Sequence, residues 1–194
     1  MPASAKIPAL LLLVAVIILA GWWIFRTYFD TYHLVTVRDG ILYRDGVRSL
    51  SQFQLAARRT HVKTIVSLVD DNEIQHPPFT DETAYCAANG IQIIRIPITL
   101  GGWPSSDQIQ QFLAIAQDQS KQPVLVHCAQ GVRRTGMLVA AYEMSVLKHE
   151  KTSALAEIQA FGHSNRTIND VQRFIQTYDP DKQEMTQQLA PSQE

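Results

Sequence analysis

Several things are scarce or missing in this chain, and each absence removes a class of function. There is no basic excess: 17 Lys and Arg face 18 Asp and Glu, for a net charge of −1. A nucleic-acid surface would need such an excess, so none is expected. Six histidines are scattered with no i, i+4 pair, and the two cysteines form no zinc-type pair, so no metal is suggested. Nor do two cysteines oblige a disulfide. Internal repeats and a glycine-rich nucleotide fingerprint are absent, which leaves no cofactor indicated.

What is present begins with a long apolar run. Ile7 to Phe25 is 19 residues without a charge, flanked by Lys6 and Arg26. At the helical rise it spans roughly 28 Å, close to the hydrocarbon thickness of a bilayer. Trp22 and Trp23 near its end suit a membrane interface. The run therefore predicts an N-terminal transmembrane helix that anchors the chain. A cleaved signal peptide with Ala20 at the cut competes, and a buried core helix is the third option. Lys6 on one side and Arg26, Arg38, Arg44 and Arg48 on the other nearly balance, so charge alone does not orient the anchor.

The chain divides into an anchor and linker (1–29), one domain (30–180) and a polar tail expected to be disordered (181–194). The middle part is long enough for a sizeable core. Its expected elements alternate. A hairpin (34–37 and 41–44) turns at Asp39-Gly40, followed by a helix (49–59), a strand (63–69), a helix near 81–89 and a strand (91–96). A helix (106–117), a strand (124–127) and a helix from Gly136 to Leu147 come next, then helices at 152–161 and 169–178 separated at Gly162. This order predicts an α/β fold, a central mostly parallel sheet covered by helices on both faces. Cys86, in the fourth of these elements, reads as a buried core thiol.

The chemistry is concentrated in Val126-His127-Cys128-Ala129-Gln130-Gly131-Val132-Arg133-Arg134-Thr135-Gly136. An apolar strand leads in and a helix leads out, so backbone N–H groups converge on the loop and make an anion site. A cysteine in that positive field ionises readily. An arginine at the loop's end can grip two phosphate oxygens at once. The bland alternative for Cys128 is a small buried hydrophobe.

His127-Cys128, five residues, Arg134-Thr135, with Gly131 and Gly136, resembles the signature of the cysteine-dependent tyrosine and dual-specificity phosphatases. The likeness extends more loosely over residues 40 to 178 and is nearest to the compact, atypical members. The resemblance implies a phosphomonoester hydrolase working through a phosphocysteine. Cys128 would be the nucleophile, and Arg134 with the backbone of Ala129, Gln130, Gly131, Val132 and Arg133 the phosphate cradle. Thr135 would hydrogen-bond the sulfur, and His127 would hold the loop's backbone. Rhodanese-like or Cdc-type enzymes, and phosphate-binding modules without turnover, share the loop, but Gly131 and Thr135-Gly136 fit the first group better.

Four positions carry open readings. Arg133 either attracts a multiply charged substrate, such as a phosphoinositide, or sits solvated on the rim. Ala129 and Val132 stand where lipid phosphatases of the superfamily carry lysines. The general acid that the family places after the strand 91–97 would fall near Ile98 or Thr99, where no carboxylate stands. Asp107, after Trp103-Pro104, is the candidate acid, although a carboxylate at a helix start normally takes a capping or first-turn role. Asp70 or Asp71 in the acidic run to Glu73 is a second source, with surface solvation the alternative. An absent acid would favour good leaving groups. The expected partners are a phosphorylated protein or another phosphomonoester and, through the anchor, a membrane. A thiolate nucleophile favours a reducing, cytoplasmic location for the domain.

Overall fold

The computed structural model describes residues 6–28, 30–160 and 165–185. Helix α1 (Lys6–Tyr28) comes first. The hairpin β1 (Tyr32–Arg38) and β2 (Leu42–Gly46) follows, then α2 (Leu50–Thr60) and β3 (Thr64–Ser67). Next come α3 (Phe79–Ala88), β4 (Gln92–Arg95), α4 (Ser106–Gln117) and β5 (Val124–Cys128). Three helices follow β5: α5 (Arg133–Ser145), α6 (Lys151–Ala160) and α7 (Asn165–Thr177).

The five strands form one sheet in the order β1-β2-β5-β3-β4, parallel except for the antiparallel edge strand β1. β5 lies at its centre, paired with β2 and β3, so the loop that follows it opens above the middle of the sheet. Alternation along β5 sorts the two faces. Val124, Val126 and Cys128 join the core under α4, α5, α6 and α7, while Leu125 joins the one formed with α2 and α3. Helix α5 is buried from Arg134 to Ser145, which makes it the axis around which α4, α6 and α7 pack. An α/β sheet covered on both faces, as the alternation of elements implies, is what forms.

The ends differ from expectation. In α1, Leu10 to Phe25 is the stretch whose surroundings are described, and its large apolar side chains there are all exposed. Those sixteen residues would span only about 24 Å. Among the described residues no helix is long and apolar enough to cross a membrane, so the expected transmembrane helix is not part of the fold established here. At the other end, part of the tail expected to be disordered is ordered: β6 (Tyr178–Asp179) pairs with β7 (Glu184–Met185). Gly162 and residues 186–194 lie outside the described residues. A 3-10 turn at Glu73–Gln75, in the run read as solvated or acidic, was not expected and proves central to the site.

Candidate active site

The strand β5 ends at Cys128, and α5 starts only five residues later at Arg133. The intervening loop can close this tightly because Gly131 adopts φ +71°, and a Cβ there would lie 2.4 Å from the Asp45 carbonyl oxygen. Below it, the buried Arg44 donates from Nη2 to the Gly131 carbonyl (2.9 Å). Val47 N–H bonds the Ala129 carbonyl (3.1 Å), so the end of β2 braces the loop from underneath. No side chain caps the start of α5. Its first N–H groups are therefore left for an anion.

Cys128 is 2% exposed, and its Sγ accepts a hydrogen bond from the Gly131 N–H (3.2 Å). Burial pushes this thiol up, but the Arg134 charge, the Thr135 hydroxyl and the N–H groups of Thr135 and Gly131 outweigh it and hold it below the ordinary range. The Thr135 hydroxyl is buried and has no hydrogen-bond partner of ordinary geometry, so no oxygen or nitrogen competes with the sulfur for it. Cys86 shows the contrast. Burial, with Glu82 nearby, pushes its thiol up to about 12. Burial acts against the charged form of both thiols, and only at Cys128 do the neighbours reverse it.

Arg134 is 4% exposed and held in a fork. Nη1 and Nη2 donate to the two oxygens of Glu73, the second at 2.9 Å. Nη1 also donates to the carbonyls of Leu68 (3.3 Å) and Ile98 (3.2 Å). Glu73 thus occupies the Nη1–Nη2 edge of the guanidinium and leaves the Nε–Nη2 edge for two phosphate oxygens. Sequence reasoning saw the acidic run 70–73 only as an acid source or a solvated surface. Its one available signal was position: the run follows β3, and strand ends of a parallel sheet converge on one edge.

Behind the loop lies a buried group of titratable side chains. His127 Nε2 hydrogen-bonds Glu82 Oε1 at 2.8 Å, with both side chains fully enclosed. Burial pushes this imidazole down, yet the Glu82 carboxylate wins and keeps its pKa above the usual value. His127 was expected to hold the loop's backbone. It pairs with α3 instead, and its Nδ1 has no partner. Asp45 is 0% exposed, and neither carboxylate oxygen has a hydrogen-bond partner of ordinary geometry. Burial pushes its pKa up to about 8, only partly offset by the Gly46 N–H and His127.

Asp107 is exposed in the first turn of α4, two residues after the Ser105 cap, whose capping box is completed by Gln108. Asp70 Oδ1 accepts the N–H groups of Asn72 (3.0 Å) and Glu73 (2.9 Å), and Oδ2 that of Leu100 (3.1 Å). The Glu73 N–H leads the causes that hold Asp70 below the usual carboxylate range. Asp71 pairs with Arg95 at 2.9 Å and is 78% exposed. The structure therefore brings Cys128, Arg134, Thr135 and Glu73 together and leaves Asp107 and Asp71 on the surface. Arg133 is neither on an open rim nor aimed at the loop centre, since it pairs with Asp170 of α7.

A family described as a dual-specificity-type (DSP-PTPase) phosphatase fused to NAD+ kinase matches residues 44–184, most of the chain and all of this site. The chain belongs to this phosphatase family. The inositol diphosphatase DSP4 of Arabidopsis thaliana is 30% identical over 145 residues, covering 73% of this chain and 69% of that protein. The dual specificity protein phosphatase TpbA of Pseudomonas aeruginosa is 25% identical over 141 residues, covering 72% and 60%. The chain spans less than two thirds of the length of TpbA and only 9% of a rice NAD kinase that it also matches. Among solved structures, TpbA in complex with pTyr superposes with a TM-score of 0.64 at 25% identity, covering 78% of this chain and 88% of that one. The core of the PP-IP phosphatase SIW14 from S. cerevisiae superposes at 0.65 and 22% identity, covering 79% and 90%, which shows a shared fold.

The buried Asp45 gives this phosphatase a pH signature. Its pKa rises from about 4 when unfolded to about 8 in the fold. The native state therefore holds a proton that the unfolded chain releases. The stability this contributes is complete below pH 4 and is lost as pH rises to 8. Asp45→Asn removes the titration. Its stability relative to wild type should improve by about 3 kcal/mol between pH 5 and pH 7. Urea unfolding of both proteins at the two pH values measures this, and a constant difference would contradict it.

Proposed function

We propose that this domain hydrolyses phosphomonoesters through a phosphocysteine, with a preference for leaving groups that depart without a proton. The observation that carries this reading is the Cys128 sulfur, enclosed and stabilised as a thiolate beside Arg134 at the uncapped start of α5. Cys128 Sγ attacks phosphorus in line, the S–P bond forms, and the P–O bond to the leaving group breaks. Water then attacks phosphorus, and the S–P bond returns its electron pair to sulfur, with Thr135 stabilising the departing thiolate. Arg134 and the backbone of residues 129 to 134 bind the equatorial oxygens in both steps.

The leaving-group preference follows from the carboxylates. Asp70 is locked as a low-pKa acceptor, Glu73 is held by Arg134, and Asp107 and Asp71 lie on the surface. A phenol, with a pKa near 10, leaves as its anion far more easily than an alcohol. Phosphotyrosine-type substrates therefore suit the site, in keeping with the relative solved with pTyr. When the outer P–O–P bond of a diphosphate breaks, the departing phosphate monoester likewise leaves as a stable anion without needing an acid. That supports inositol diphosphates as the second reading, alongside the similarity to DSP4. Alkyl phosphates should react slower than p-nitrophenyl phosphate by about 10² to 10⁴-fold, the usual share of a general acid. Asp107→Asn should leave that ratio unchanged. A selective loss on the alkyl substrate would instead identify Asp107 as the proton donor.

For location, the exposed apolar side chains of Leu10 to Phe25 support association of α1 with a lipid surface, and the thiolate supports a reducing, cytoplasmic side. The full chain should co-sediment with phospholipid vesicles, whereas a chain beginning at Asp30 should stay in the supernatant. Equal partitioning of the two would contradict the tether.

A further inference from the structure

The side chains of Arg133 and Asp170 lie outside the phosphate chemistry described above, yet they form a heavily bonded cluster beside the site. Arg133 opens α5, directly before Arg134. Its Nε donates to Asp170 Oδ2, its Nη1 to the Gly102 carbonyl (2.6 Å) and its Nη2 to the Gly101 carbonyl (2.5 Å). The side chains of Arg133 and Asp170 are only 19% and 14% exposed. On its other oxygen Asp170 accepts from Trp103 Nε1 (3.2 Å) and Arg173 Nη2 (2.7 Å). Trp103 in turn packs edge-on against Phe174 of α7, with ring centroids 5.9 Å apart.

Through Gly101, Gly102 and Trp103 these contacts reach one segment, Ile98 to Pro104, between β4 and α4. The segment turns at Gly101, where φ is +85°, and its first half is tied to the site. The Ile98 carbonyl accepts from Arg134 (3.2 Å), and the Leu100 N–H donates to Asp70 (3.1 Å). Adjacent arginines thus hold the two halves of one loop: Arg134 at Ile98, Arg133 at Gly101 and Gly102. If the second half drifts, the Ile98 carbonyl and the Leu100 N–H drift with it, and the orientation of Arg134 loosens.

We propose that Arg133 and Asp170 are positioning residues that clasp the loop 98–104 onto the phosphate-binding loop, so that Arg133 does not read substrate charge. Both ends of the guanidinium are taken by acceptors, and Asp170, which also binds Arg173, holds it in a direct ion pair. A polyanion would have to displace Asp170 to use it. The kinetic consequences rest on the phosphatase reading above; the clasp itself rests on the contacts alone.

The test compares wild type with Arg133→Ala, Asp170→Asn, Asp170→Glu and the double variant Arg133→Ala/Asp170→Asn. Three quantities are read: hydrogen exchange of amides 99–103, kcat and KM on p-nitrophenyl phosphate, and inhibition by tripolyphosphate. A clasp predicts that either single loss speeds exchange in the loop and lowers kcat about tenfold, with KM changing less. The double variant should be no worse than either single one, Asp170→Glu should recover much of the loss, and the tripolyphosphate Ki should move no more than KM does. A charge reader predicts opposite effects. Asp170→Asn would free Arg133 and tighten tripolyphosphate binding several-fold, with loop exchange unchanged, and Arg133→Ala would weaken it. That pattern, or unchanged exchange in both single variants, overturns the clasp. Should wild-type protein turn over no phosphate ester, the phosphatase reading fails while the exchange data still decide on the clasp.

Discussion

Cys128→Ser is expected to abolish turnover of p-nitrophenyl phosphate, by at least about 10⁴-fold, while leaving the fold and phosphate binding in place. The sulfur is the only group at the loop centre that the surroundings ionise: Arg134, Thr135 and the Gly131 N–H together outweigh the cost of burying its charge. A serine hydroxyl in the same place has a far higher pKa, and those contacts are too few to ionise it. The substitution changes almost no volume, so thermal unfolding and phosphate affinity should stay near wild type. Retained turnover in a folded variant would remove Cys128 from the chemistry.

The second large effect is expected from Arg134→Lys, a loss of about 10³-fold or more in kcat/KM. A lysine keeps the positive charge but has no second edge. In the structure one edge of the guanidinium holds both oxygens of Glu73, which leaves the other for the phosphate. A single ammonium cannot do both, so it stays with Glu73 or leaves that carboxylate unpaired near the substrate dianion. The assay belongs well below the unfolding transition of the variant, because Arg134 is also a buried anchor for the carbonyls of Leu68 and Ile98. A loss smaller than tenfold would mean that charge, not the fork, is what the site uses.

Local patterns in the sequence were enough to locate the nucleophile loop, but not the partners that set its electrostatics. The apolar run into Cys128 and the Gly131 turn are short-range features, and the strand, loop and helix form within a few residues of where those features put them. Arg133, His127 and the acidic run were each read from their immediate neighbours. Their partners are Asp170, Glu82 and Arg134, at separations of 37, 45 and 61 residues. No local pattern encodes such pairings. They follow from strand order, which brings the ends of β3 and β5 together, and from the packing of α3 and α7 on opposite faces of the sheet. The first-turn role of Asp107 was legible because a helix start is itself a local feature.

The central claim is that phosphate passes through the sulfur of Cys128. Its most direct test is to mix wild-type and Cys128→Ser protein with p-nitrophenyl phosphate, quench within milliseconds, and map the modified peptide by mass spectrometry. A phosphoryl adduct on Cys128 in wild type, and none in the variant, is the predicted result. Turnover by wild type with no adduct on Cys128, or with the phosphoryl group on another residue, would contradict it.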